Sequence, residues 1–271
     1  MIKSKKIAIK MFLTFFKNKY KLDDIKFIKK IHHGFTNISF CFIMNDNNKY
    51  QVRIGNNNNI VNRNNEYRCL NLIHNSDYLY YDIKNGNAIK IWIKGRVLNK
   101  KDLKNRNILN NIFNEINQYH SLNVSDSNIL RHDYYSFLPK CKLKNMYLTK
   151  YKKIVEKIST TFWGFSHNDL NLENILISSN NRIKFIDFEW SRINHPYWDF
   201  ANLIKETIWN KKEILIYSEI AKLDYFLLLE MSFVAICFSY QWTFSNSFSL
   251  KILCYRLKMY LKMKYFYNLI K

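Results

Sequence analysis

The hydrophobic pattern of the chain changes period between residues 93 and 101, and that change restricts the folds open to it. Before it, 26–31, 38–44 and 50–54 are short β-prone runs separated by polar turn residues, as in strands joined antiparallel. A helical segment at 63–73 follows, then two further strand candidates at 78–83 and 88–93. From Lys101 onward the apolar spacing is helical, at 101–120, 145–160, 198–209, 211–222, 224–242 and 248–267. No Pro/Gly/Ser-rich linker divides the 271 residues, so two lobes of one compact unit are expected rather than two independent domains. The boundary falls at Lys94-Gly95-Arg96. Residues 1–94 form a small antiparallel-sheet lobe and 95–271 a larger, mainly helical one, an α+β chain.

One polar segment breaks the helical half. His167-Asn168-Asp169-Leu170-Asn171-Leu172-Glu173-Asn174 precedes two β-prone runs, 175–177 and 182–186, joined by the turn residues Ser178-Ser179-Asn180-Asn181 and ending at Asp187. In phosphoryl-transfer sites an Asp orients and deprotonates the acceptor hydroxyl, and an Asn five residues on holds magnesium. Asp169 and Asn174 have that spacing. A second carboxylate must come from a neighbouring hairpin to bridge the β- and γ-phosphates through magnesium, and Asp187 is so placed. Magnesium prefers carboxylate and amide oxygens with water, so Asn and Asp suit it better than His or Cys.

Upstream, His33-Gly34-Phe35-Thr36-Asn37 lies between the first two strands. Gly34 allows the backbone to approach a phosphate, and Thr36 and Asn37 offer side-chain donors. Arg53 on the third strand can reach the α- and β-phosphates, with Glu66 on the next helix as its partner. His167 is expected to order the catalytic loop. Asp199, which opens a helix, is expected to brace the loop around Asp169 through backbone hydrogen bonds. His32, His33, His120 and His195 lack metal-ligand spacing with one another.

A formal net charge of +22 attracts any anionic partner, whether nucleic acid, membrane surface or phosphorylated substrate. Lys, Asn, Ile, Tyr and Phe are abundant throughout while Gly and Pro are scarce, as an AT-rich coding bias would produce, so the charge alone selects no partner. No RNA-recognition signature or zinc-finger spacing is present, and no nucleic-acid partner is expected. Cys41, Cys69, Cys141, Cys237 and Cys254 are odd in number, scattered and without a C-x-x-C pair, which fits a reducing cytoplasm. The apolar stretch 7–16 is interrupted by Lys10 and reads as an amphipathic helix rather than a cleaved leader. The run 225–240 carries Glu230 and falls below the roughly 20 apolar residues a bilayer needs, so a buried helix is expected and no integral span.

These pieces together resemble the choline/ethanolamine kinase family, within the aminoglycoside-phosphotransferase-like kinases that share the protein-kinase fold. The resemblance runs from about residue 25 to near the C-terminus. Gly34-Phe35-Thr36-Asn37 is similar to the family's G-x-T-N loop, Val52-Arg53-Ile54 to its V-L-R-I strand, and Asn62-Arg63-Asn64-Asn65-Glu66 to an N-R-x-x-E helix start. His167-Asn168-Asp169 and Ile186-Asp187-Phe188-Glu189-Trp190 resemble its H-N-D and I-D-F-E-Y/W signatures. Trp198-Asp199-Phe200-Ala201-Asn202, with Glu206 seven residues after Asp199, resembles the segment that follows. The phosphate loop departs from the family where His33 replaces a second glycine.

The resemblance implies a two-lobed protein-kinase-like fold with ATP and Mg2+ as cofactors and a small alcohol, choline foremost, as acceptor. ATP would lie between the lobes under residues 34–37, with Arg53 on phosphate, Asn174 and Asp187 on metal and Asp169 as base. It also nominates Trp190, Glu206, Tyr240 and Trp242, with Tyr255 beside them, to hold a quaternary ammonium. Cation–π contact contributes about 0.5–2 kcal/mol per ring. Aromatic residues make up 17% of the chain, so packing competes with caging as the role of each ring. The alternatives are a same-fold kinase for ethanolamine, thiamine or an aminoglycoside, a basic nucleic-acid-binding protein, and a catalytically silent scaffold. Intact Asp169, Asn174 and Asp187 weigh against the last. Oligomeric state is not legible in the sequence.

Overall fold

The computed structural model describes residues 2–31, 37–55, 61–159, 161, 163–207, 210–245 and 249–271; Gly34 and Thr36 lie outside the described residues. Two compact units result, Met1–Gly95 and Arg96–Lys271.

The first unit contains α1 (Ile2–Phe15), β1 (Ile25–Ile31), β2 (Ile38–Met44), β3 (Lys49–Ile54), α2 (Arg63–Leu72), β4 (Tyr78–Tyr81) and β5 (Ala88–Ile91). The strands form one antiparallel sheet in the order β1-β2-β3-β5-β4. Side chains alternate across a strand, so Phe40, Phe42 and Met44 share one face. Tyr50, Val52 and Ile89 join them, and Ala8 and Phe12 of α1 close over that face. The spacing of Ala8 and Phe12 sets both on one side of the helix. Val52 pairs with Phe40 and Ile89 in the ladder, whereas its neighbour Arg53 pairs with Ser39 and Ala88. One residue of phase therefore turns Arg53 to the opposite face from the α1 core. Asn62 caps α2 by accepting the backbone N–H of Asn65 at 2.9 Å.

The second unit contains β6 (Arg96–Val97), α3 (Arg106–His120), α4 (Asn145–Ser159), β7 (Gly164–Ser166), β8 (Ile175–Ile177), β9 (Ile183–Phe185), β10 (Arg192–Asn194), α5 (Tyr197–Glu206), α6 (Lys211–Ala221), α7 (Tyr225–Trp242) and α8 (Leu250–Leu269). The strands make two small sheets, β6-β8-β9 and β10-β7. Strands β6, β7 and β10 were absent from the sequence expectation, because each is brief and pairs with a strand distant in sequence rather than across a local turn. Helix α3 begins later than the spacing suggested. Asn105 caps it by accepting the N–H groups of Asn107 and Ile108, while Asp102 is held outside it by both guanidinium nitrogens of Arg96 at 2.7 Å.

Helix α7 is long and apolar enough to cross a membrane by length and composition. Leu228, Leu229, Met231, Phe233, Val234, Ile236 and Cys237 are buried in the unit, and α4, α5, α6 and α8 pack against the helix. An all-round apolar helix is what a core position requires. Each large side chain buried there contributes roughly 1.5–3 kcal/mol.

Candidate active site

The segment from His167 to Asn174 links β7 to β8, and its shape is set from α5. Asp199, fully inside the unit, accepts the backbone N–H of His167 at 2.9 Å and of Asn168 at 2.8 Å. His120 Nε2 lies 3.0 Å from the same carboxylate. Burial alone would raise the Asp199 pKa; its hydrogen bond to His120 and the neighbouring imidazoles hold it below the usual carboxylate value instead. The helix start itself is at Pro196, so the Asp199 carboxylate serves the loop rather than its own helix.

Asn168 has φ of 65°, in the left-handed region that Asn tolerates better than most residues. Its side-chain nitrogen donates to the Trp190 carbonyl at 3.1 Å, and its side-chain oxygen accepts from Asn194 at 2.8 Å. Its backbone carbonyl accepts from Asn202 at 2.9 Å and from Trp198 Nε1 at 3.3 Å. Tyr134 donates to Asn194 at 2.5 Å behind it. This network over-determines a strained conformation one residue before Asp169.

Asn174 donates from Nδ2 to the Asp169 carbonyl at 2.8 Å and to Asp169 Oδ2 at 3.1 Å. Both amide N–H groups are thereby used, which leaves the Asn174 carbonyl oxygen as a hard donor for a cation. Asn174 also fixes the hairpin end, since its backbone carbonyl accepts the Ile186 N–H at 3.0 Å. From the other side, His167 Nε2 donates to the Ile186 carbonyl at 3.0 Å. Ile186 is thus held at both of its backbone groups. Asp187 follows with φ of 69°, a second left-handed residue. His167 is buried, which lowers its pKa and favours the neutral imidazole, whose unprotonated Nδ1 accepts the Asp169 backbone N–H at 3.4 Å. For Asp169, burial pushes the carboxyl up to about 7; Lys205 opposes that shift, and Glu206, Asp187 and Glu189 reinforce it.

The nominated acceptor residues divide into two groups. Trp242 stands perpendicular to Tyr255 with ring centroids 6.5 Å apart, and the Tyr255 hydroxyl donates to Glu206 Oε1 at 2.7 Å. Tyr240 packs instead on Phe244 and Tyr260, at 5.3 and 6.1 Å between centroids. Residues two apart on a helix do not face each other, so the Tyr240 and Trp242 rings cannot close on one ligand from α7 alone. Trp190 contributes its carbonyl to Asn168 and leaves its ring half-buried.

In the first unit, Arg53 Nη1 lies 2.8 Å from Glu66 Oε1, with exposures of 2% and 0%. Arg53 Nε donates to the Gly86 carbonyl at 3.0 Å. Arg63, quoted above only as part of a helix start, is the residue whose role there was missed. It donates to Glu66 Oε2 and to Asn37 Oδ1, each at 2.8 Å. Tyr81 adds a hydrogen bond to Glu66 at 2.7 Å. Burial would raise the Glu66 pKa, and the two arginines with Tyr81 hold it down. The i,i+3 spacing of Arg63 and Glu66 on α2 was the available signal. Lys205 and Lys258, on either side of Glu206, were also missed.

Residues 28–225 match the model of the family described as choline/ethanolamine kinase. The chain belongs to the choline/ethanolamine kinase family. An uncharacterised protein of Mycoplasma pneumoniae, the MG356 homolog, is 28% identical over 244 residues, covering 88% of this chain and 86% of that one. The choline kinase LicA from Streptococcus pneumoniae has a similar structure, with a TM-score of 0.75 at 16% identity over 95% of this chain and 97% of that one. An ethanolamine kinase of Plasmodium vivax gives a TM-score of 0.74 at 15% identity, covering 93% and 87%. The fold is accordingly the protein-kinase-like α+β fold, and the choline/ethanolamine kinase assignment makes the chain a small-molecule phosphotransferase.

Proposed function

We propose that this protein transfers the γ-phosphoryl group of Mg2+-ATP to the hydroxyl of choline. The observation that carries the reading is the rigid grouping of Asp169, Asn174 and Asp187 around Ile186. Asp169 accepts the acceptor's proton as its oxygen attacks. Its raised pKa makes it a better base near neutrality than an ordinary carboxylate. The Asn174 amide oxygen and the Asp187 carboxylate are hard donors that suit magnesium, which neutralises charge on the transferring phosphates. Arg53, locked by Glu66 and the Gly86 carbonyl, contributes a fixed cation for the α- and β-phosphates, with Gly34, Thr36 and Asn37 as the phosphate loop. Trp190, Trp242 and Tyr255 offer ring faces to the ammonium and Glu206 a carboxylate, while Tyr240, packed on Phe244 and Tyr260, is left out of the cage. Most of the acceleration comes from positioning and electrostatics. The five cysteines are free thiols, which supports a cytoplasmic setting.

The test is magnesium-dependent ADP release with choline, ethanolamine, thiamine and an aminoglycoside offered separately. Asp169→Asn is expected to lower turnover roughly 10²–10⁴-fold while leaving ATP binding near that of the parent. Release that is equal in the parent and the variant would overturn the assignment of the base. Release with an acceptor other than choline would keep the phosphotransferase and replace the acceptor.

A further inference from the structure

The carboxylate nominated for the acceptor's cation is already surrounded by cations of the chain itself. Lys205 Nζ and Lys258 Nζ each lie 3.3 Å from a Glu206 oxygen, Lys205 on Oε1 and Lys258 on Oε2. Lys258 also donates to the Glu206 backbone carbonyl at 3.2 Å. Lys262 caps the end of α5, donating to the Lys205 carbonyl at 2.5 Å and to that of Thr207. Two ammonium groups therefore meet on one carboxylate, while Lys262 is held by the backbone carbonyls beside it. The two on Glu206 differ in setting. Lys205 is 6% exposed and is also held by Ser239 at 3.0 Å, whereas Lys258 is 37% exposed, beside the ring of Tyr255 at 5.7 Å.

We infer that Lys258 is a charge-selecting residue of the acceptor site, weakening the binding of permanently cationic alcohols relative to uncharged ones of the same shape. The inference rests on the proposed small-alcohol kinase reading and on Glu206 facing the acceptor. A quaternary ammonium offers no hydrogen bond and depends on ring faces and a nearby negative charge. Glu206 supplies one such charge, and Lys205 is fixed beside it from within the unit. Lys258 adds a second positive charge at the open side of the carboxylate. A cationic acceptor must bind against that charge or displace it, while an uncharged isostere meets neither cost. The same grouping lies close enough to the chemistry for the charges of Lys205 and Glu206 to act on the Asp169 carboxyl.

The experiment measures KM for choline and for dimethylbutanol, its uncharged carbon isostere, in the parent and in Lys258→Met, Lys258→Arg and Lys264→Met. Binding of both alcohols is followed by calorimetry in parallel with a non-hydrolysable ATP analogue. Lys258→Met is expected to improve choline relative to the isostere by roughly tenfold, the size of effect a partly screened charge exerts at close range. Lys258→Arg should keep the parental ratio. Lys264, exposed on the same helix α8, should leave the ratio unmoved and thereby separate a local effect from the overall field. An unchanged ratio in Lys258→Met, an equal change in Lys264→Met, or failure of choline to bind either parent or Lys258→Met would overturn the inference. Failure of the kinase reading looks different: no magnesium-dependent ADP release with any alcohol, in any of the proteins.

Discussion

Asp199 Oδ1 accepts the backbone N–H of Asn168 at 2.8 Å, and this bond joins helix α5 to the left-handed turn that presents Asp169. The other oxygen of the same carboxylate takes the N–H of His167. Asp199→Asn would set an amide N–H against one of these donors. The expected cost is about 2–4 kcal/mol of stability, read from the urea midpoint. Turnover should fall more than ATP affinity changes, because the loop loses its positioning. An unchanged midpoint with parental turnover would contradict this role.

Glu66 is the counter-charge for both Arg53 and Arg63, and all three side chains are buried. Glu66→Gln should therefore destabilise the protein by about 3–5 kcal/mol, the usual consequence of stranding buried charge. Exchanging Arg53 alone for Met should cost less, since Arg63 and Tyr81 still serve the carboxylate. Chemical denaturation of both variants orders the two effects.

Gly86 has φ of 75°, and a Cβ placed there would lie 2.3 Å from Arg63 Nε. Gly86→Ala is thus expected to cost about 1–3 kcal/mol through backbone strain, together with a displacement of Arg63. Gly86→Ala in an Arg63→Met background, where no guanidinium is displaced, should show the strain alone. Melting curves of the two variants distinguish strain from the displaced guanidinium.

Glu206 supplies a pH signature of folding. Burial would raise its pKa, but Lys205, Lys258 and the Tyr255 hydroxyl bring it down to about 2 from an ordinary 4.5. A group depressed in the folded state stabilises fully above its unfolded pKa and loses that contribution as the pH falls through the folded one. The stability gap between the parent and Glu206→Gln should be about 2–3 kcal/mol at pH 6 and should close between pH 4.5 and 2. A gap independent of pH over that range would show that Glu206 contributes packing and not charge.

Much of this molecule could be read along the chain. The strands of the first unit and the long helices of the second carry their periods locally, because alternation and helical spacing are properties of a few consecutive residues. The Asp169, Asn174 and Asp187 series was legible as a spacing, and the pairing of Arg53 with Glu66, at 2.8 Å, from their places on the third strand and the helix after it. The brief strands β6, β7 and β10 were not, since each exists only through a partner remote in sequence. Strand β7 pairs with β10, and β6 with β8.

What the sequence determined by itself was most of the element types, the family motifs and the residue spacing of the loop from His167 to Asp187. Only the tertiary structure decided who shares a site with whom. Arg63 reaches Asn37 across 26 positions of sequence, Tyr134 reaches Asn194 across 60, and Lys258 reaches Glu206 across 52. No local pattern encodes such contacts, because they depend on which helix faces meet when the core packs. The same packing separates Tyr240 from Trp242 and sets Lys205 and Lys258 on Glu206, a charge arrangement that the resemblance to a choline kinase could not have disclosed.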